Sequence, residues 1–197
     1  MMTNPTDGIN WLAHARIQKY SPDQVTFATS KNYGIEPKGD LLVKLINSDP
    51  EDGILEVPGN LLVTVGLNLI TSLIIGAGGQ ALSHAAALTG VGDSTTAATV
   101  GDTQLGSNST GHSRYIIADT GYPSQSNGVI TMQSTFGTSD ANFAWNEWGW
   151  VSAATATDSD TFAACGTSPI LINHKIAALG TKASGASWVF QTTVTLS

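Results

Sequence analysis

The sequence predicts a mainly β protein: an antiparallel β-sandwich with one packed α-helix and a helical or irregular N-terminal arm. Three observations carry that prediction. Residues 188–196 alternate, with Trp188, Phe190, Thr192, Val194 and Leu196 on one face and Val189, Gln191, Thr193 and Thr195 on the other. Strands with two such faces pack as layers of a sandwich. Residues 129–136 alternate in the same way, behind Asn127-Gly128, and Asn-Gly is the strongest short hairpin signal. Residues 143–150, Phe-Ala-Trp-Asn-Glu-Trp-Gly-Trp, place three of the five tryptophans within six residues. Strict alternation puts Phe143, Trp145, Glu147 and Gly149 on one face and Ala144, Asn146, Trp148 and Trp150 on the other. A strand that is aromatic on both sides is either covered twice or carries an exposed binding platform.

The elements follow in order. Residues 1–59 hold 13 of the 23 charged residues and five of the seven prolines, which marks them as an arm or small attachment subdomain. Within it, residues 11–20 show a short helical pattern. Ser21-Pro22-Asp23 has the chemistry of a helix start, Ser21 as N-cap and Pro22 at the first helical position. Residues 41–46 form an apolar run that fits helix or strand, and 47–53 have loop composition. Residues 60–197 form the second unit. It opens with residues 61–75, apolar at 61, 62, 65, 69, 73 and 74, which predicts a buried helix stopped by Gly76. Strands are expected near 87–92, 112–122, 129–136, 143–151, 170–176 and 188–196.

Composition limits the function. Charged residues make up 12 % of the chain, against a usual share of about 25 %. In their place stand 24 Thr, 21 Gly and 19 Ser. A surface this poor in charge lacks the repulsion that keeps monomers apart, so coverage by other chains, as in a homo-oligomer, is expected. The net charge is −7 and the pI about 4.7. With eight scattered basic residues there is no patch for phosphates, so no nucleic-acid partner is expected. The 15-residue stretch 61–75 falls short of the roughly 20 residues that span a bilayer. No signal peptide is expected from residues 1–10, and no membrane partner.

The chemical motifs are sparse. The four histidines, at 14, 84, 112 and 174, show no ligand spacing, so no metal and no cofactor is expected. Cys165 is the one cysteine, and nothing around it activates a thiol. Gly76-Ala77-Gly78-Gly79 follows a helix and lacks Gly-Lys-Ser/Thr, so it reads as a turn. No Gly-x-Ser-x-Gly elbow occurs. Glu147, set between tryptophans, is the best candidate for an acid catalyst, with Asp119 or Asp140 as a second carboxylate. Its ordinary reading is a hydrogen-bonded structural residue. Asp93 and Asp102 sit in Gly/Ser/Thr-rich turns without EF-hand spacing and read as turn-stabilising.

Residues 90–105, Gly-Val-Gly-Asp-Ser-Thr-Thr-Ala-Ala-Thr-Val-Gly-Asp-Thr-Gln-Leu, resemble a block found in tailed-bacteriophage virion proteins. Similar blocks match Thr135 to Gly149, and Leu171-Ile172-Asn173-His174-Lys175 through Ser184-Gly185-Ala186-Ser187-Trp188 to Leu196, behind an apolar helix. The resemblance covers roughly residues 59–197 and implies a non-enzymatic structural role in the virion, without fixing a place in the particle. The expectation is a capsid decoration (cement) protein on the outer head surface. It would bind the major capsid protein and copies of itself, in a virion assembled in the host cytoplasm. The assembly candidates are Trp11, Tyr20 and Phe27 of the arm and Trp145, Glu147, Trp148 and Trp150 of the aromatic strand. A tail, baseplate or fibre-attachment protein would share the fold. A carbohydrate-binding module would use Trp145, Trp148 or Trp150 as its platform.

Overall fold

A computed structural model describes residues 11–108 and 111–196. Two antiparallel sheets face each other, as the alternating strands require. The first runs β2 (Ile54–Pro58), β1 (Trp11–Tyr20), β11 (Ser187–Leu196), β7 (Val129–Phe136), β6 (Ser124–Ser126). The second runs β3 (Leu61–Leu62), β10 (Asn173–Thr181), β8 (Ala144–Ala154), β4 (Ala87–Gly92), β5 (Ser113–Ile117), with β9 (Thr167–Leu171) also on β8. Ala15, Ile17, Met132, Phe136, Phe190 and Val194 from one sheet meet Ala87, Val91, Ile116, Trp148 and Trp150 from the other in a single buried cluster.

The hairpin forms where Asn-Gly predicts it. Asn127 (φ 49°) and Gly128 (φ 77°) both take the left-handed conformation that a two-residue turn between twisted strands requires. Ser21 caps α1 (Pro22–Lys31) as expected. Its hydroxyl accepts from the Gln24 N–H, and the Gln24 side chain accepts from the Ser21 N–H, each at 3.3 Å. The apolar run at 41–46 resolves as the helix α2 (Gly39–Ile46).

Two expectations about elements are corrected. Residues 11–20 are a strand, paired with β11 from Trp11↔Leu196 to Tyr20↔Ser187. Ala13, Ala15 and Ile17 point inward between exposed or half-buried neighbours, a period of two that good helix formers (Ala, Arg, Gln, Lys) had disguised. The strands β1 and β2 of the N-terminal part lie in the same sheet as β7 and β11. Among the described residues there are three α-helices, two of them in the N-terminal part, where a helical arm was expected. The helices α1 and α2 cover the outer face of that sheet, where Tyr20 and Val189 pack with Val25, Ala28, Leu42 and Ile46.

The helix α3 (Thr64–Ile74) starts later than the apolar run, because Leu61 and Leu62 pair with His174 and Asn173 of β10. Nor is it buried. Only Gly66 and Leu69 are fully covered, while Ile74 and Ile75 are 71 % and 78 % exposed. Gly66 explains how it sits: a Cβ there would lie 2.2 Å from the Ile172 carbonyl oxygen, so the missing side chain lets the helix rest directly on the backbone at Ile172. Among the described residues no helix is long and apolar enough to cross a membrane.

Candidate functional site

The aromatic strand β8 is covered on both faces by its own chain. Trp145, Trp148 and Trp150 have no exposure and all three join the inter-sheet cluster. Strict alternation would separate Trp145 from the other two. Instead all three share one cluster, so β8 departs from strict alternation between Trp145 and Trp148, beside the point where β10 carries two extra residues between Ile176 and Gly180. Trp145 meets Phe136 and Trp188 edge-on at 4.6 and 4.7 Å between ring centroids. Its indole N–H donates to the Ala141 carbonyl at 2.9 Å, and that of Trp150 to the Thr192 hydroxyl at 2.6 Å. On the opposite face Val151 and Ala153 pack with Leu88, Leu105, Tyr115, Phe162, Cys165 and Leu171.

These tryptophans are core, so the expectation that they form an assembly surface is corrected, and so is the sugar platform, which needs an exposed ring. Tyr20 is likewise fully buried. Trp11 is half-buried, its indole N–H donating to Asn60 Oδ1 at 2.6 Å. Of the seven candidates only Phe27 is openly exposed, at 49 %.

Glu147 has no exposure either, and it organises a polar cluster. Its Oε2 accepts from the Gly106 N–H at 2.9 Å, and its Oε1 from the Ser107 N–H at 2.7 Å. His174 Nε2 lies 2.8 Å from Oε2, and His174 Nδ1 lies 2.6 Å from Asp102 Oδ2. Asp102 in turn accepts from the Thr99 N–H and hydroxyl at 2.8 and 2.6 Å. Gly92, on β4 opposite Glu147, leaves room for the carboxylate, since a Cβ there would lie 2.3 Å from Oε1.

The electrostatics follow from this geometry. Burial pushes the Glu147 carboxyl up, but the bonds from His174, Ser107 and Gly106 outweigh it and hold it below the usual carboxylate range. Burial alone would lower His174. The carboxylates on its two nitrogens outweigh that, and its pKa is raised. For Asp102, burial is outweighed by Thr99 and His174, and its pKa is lowered. The cluster is an imidazolium clamped between two carboxylates, with backbone N–H groups on the deeper one. The two carboxylates meet opposite nitrogens of one ring, so they do not converge on a common cation. Among the described residues no group of three or more His, Cys, Asp or Glu side chains is arranged to hold a metal ion.

Sequence reasoning singled out Glu147 but missed its partners. Asp119 and Asp140 are not among its hydrogen-bond partners. Asp119 accepts from the Thr135 hydroxyl at 2.8 Å, and Asp140 pairs with Arg114 at 2.6 Å. His174 and Asp102 lie 27 and 45 positions from Glu147 along the chain, and only the fold joins them. The signal available was that each stands in one of the three blocks, 90–105, 135–149 and 171–196. His112 is separate: its Nδ1 lies 2.8 Å from Asp93 Oδ2, and its ring stacks on Phe143.

A second group of charges borders a cavity of about 500 Å³ lined in part by Lys38, Asp40, His84, Asp119 and Asp158. Burial raises the pKa of Asp119. Its partners Thr135 and Gln133 belong to β7, and the Thr135 hydroxyl accepts from the Gly39 N–H at 2.7 Å, so Asp119 fastens α2 to the sheet. Asp158 accepts from the Ile117 N–H at 2.9 Å. These carboxylates serve the chain's own backbone and side chains.

Comparison with known protein families, curated sequences and solved structures finds no match.

Proposed function

We propose that this chain is a non-enzymatic structural component of a tailed-phage virion, a decoration protein bound to the outer surface of the head. One observation carries the reading: the residues with the most chemical potential are spent on holding the fold. Both nitrogens of His174 and both oxygens of Glu147 are occupied by groups of the same chain. A general acid or base needs one such position facing substrate, and here the ring and the deeper carboxylate are sealed. The three blocks that resemble virion proteins meet at this cluster, which pins residues 99–107 against β8 and β10. Sparse charge and an exposed apolar helix add support, because both suit a surface covered by other proteins.

In mechanism, many copies bridge neighbouring capsid subunits. Modest burial at each contact, summed over the lattice, then offsets the outward pressure of packaged DNA. Copy number tests this. Quantitative gel analysis of purified particles is expected to give hundreds of copies per virion, retained on heads separated from tails. A few to a few dozen copies, found on purified tails and missing from heads, would overturn the head assignment in favour of a tail or baseplate component.

A further inference from the structure

We propose that the face formed by α3, the loop at 76–86 and β9 is the docking surface for a second copy of this chain, α3 lying against its mate across a two-fold axis. The first observation is electrostatic. From residue 57 to residue 92 there is no Asp, Glu, Lys or Arg, a run of 36 residues in a chain of net charge −7. The neighbouring β9 (Thr167–Leu171) has none either. Two copies of an acidic protein repel at long range and can meet closely only where like charges are not brought face to face. A two-fold axis sets each residue near its own mate, so it favours a neutral face.

The second observation is the apolar stripe within that face. Leu67, Ile74 and Ile75 are 46 %, 71 % and 78 % exposed. With Thr71 they stand at positions i, i+4, i+7 and i+8, one side of a helix. Val100, 59 % exposed, lies beside the helix start, where its carbonyl accepts from the Thr64 N–H at 2.8 Å. Gly66 presses the opposite side of α3 onto the backbone at Ile172, which fixes the stripe outward.

The third observation is extent. A stable dimer buries about 800 Å² per partner, more than one three-turn helix supplies. The uncharged surface continues from α3 across Ala77, Gly78 and Gly79 to Ile170 of β9, around a groove of about 420 Å³. A dimer formed here therefore has to use helix, loop and strand together. This inference does not depend on the virion reading, because it concerns the purified chain alone.

The test is sedimentation equilibrium on the full chain and on Ile74→Lys and Ile75→Lys, with far-UV circular dichroism to check the fold. Both side chains point outward, so neither variant removes core packing. The chain is expected to be a dimer at about 100 µM, and each lysine, set near its own mate, to weaken association at least ~100-fold. A monomer at that concentration, any other stoichiometry, or lysine variants that associate as tightly as the parent would overturn the proposal.

Discussion

Glu147 shows how much a single buried carboxylate depends on its partners. Removing one member of a buried ion pair leaves the other uncompensated, at a cost of about 3–5 kcal/mol. Glu147→Ala is therefore expected to lower unfolding stability by that amount in urea titrations, whereas Glu56→Ala, on the exposed edge strand β2, should cost little. The pH dependence follows from the signs. His174 has its pKa raised by folding, so its contribution is complete below the ordinary histidine value and fades as pH rises through the folded value. Glu147 and Asp102 are lowered, so theirs is complete above the ordinary carboxylate values and fades as pH falls through the folded ones. The melting-temperature gap between the parent and His174→Gln is thus expected to be widest in weakly acidic solution and to narrow toward alkaline pH. A gap that widens steadily with rising pH would contradict a protonated, clamped His174. The tryptophans give a separate test. Trp148→Ala, which empties a fully buried site, is expected to cost about 3–5 kcal/mol.

At the scale of elements, what was legible in the sequence was whatever local chemistry decides alone. The Ser21 cap, the Asn127-Gly128 turn and the alternation of β7 and β11 needed no tertiary help. The strand β1 was missed because Ala13, Ala15 and Ile17 are small or interleaved with helix formers, and pairing with β11 overrides propensity. The helix α3 was placed but wrongly buried, since an apolar run does not say whether a sheet or a partner covers it. The face assignment of Trp145 failed because strict alternation does not hold between Trp145 and Trp148 of β8, and the spacing of the residues carries no mark of that. His174 and Asp102 were invisible as members of the Glu147 cluster, because the contacts arise only when β10 and residues 99–107 fold onto β8. Gly66 tests the element that departed most from expectation. Gly66→Ala must push α3 away from Ile172 and is expected to destabilise the chain despite the better helix propensity of alanine. A stabilised variant would show that α3 is not seated as described.

For the whole molecule, a sandwich with helices α1 and α2 on one outer face and α3 beside the other sheet leaves the apolar, uncharged side of α3 exposed. The closed polar cluster belongs to the stability of that sandwich, and the α3 face is the contact proposed for a second copy. The most direct test of the proposed role is a map of the intact virion, with the protein located by a bound antibody fragment and by comparison with particles lacking it. The expected result is density at regular positions over the outer head lattice that disappears in the deletion particles. Antibody density confined to the tail or baseplate, with the head surface unchanged by the deletion, would contradict it.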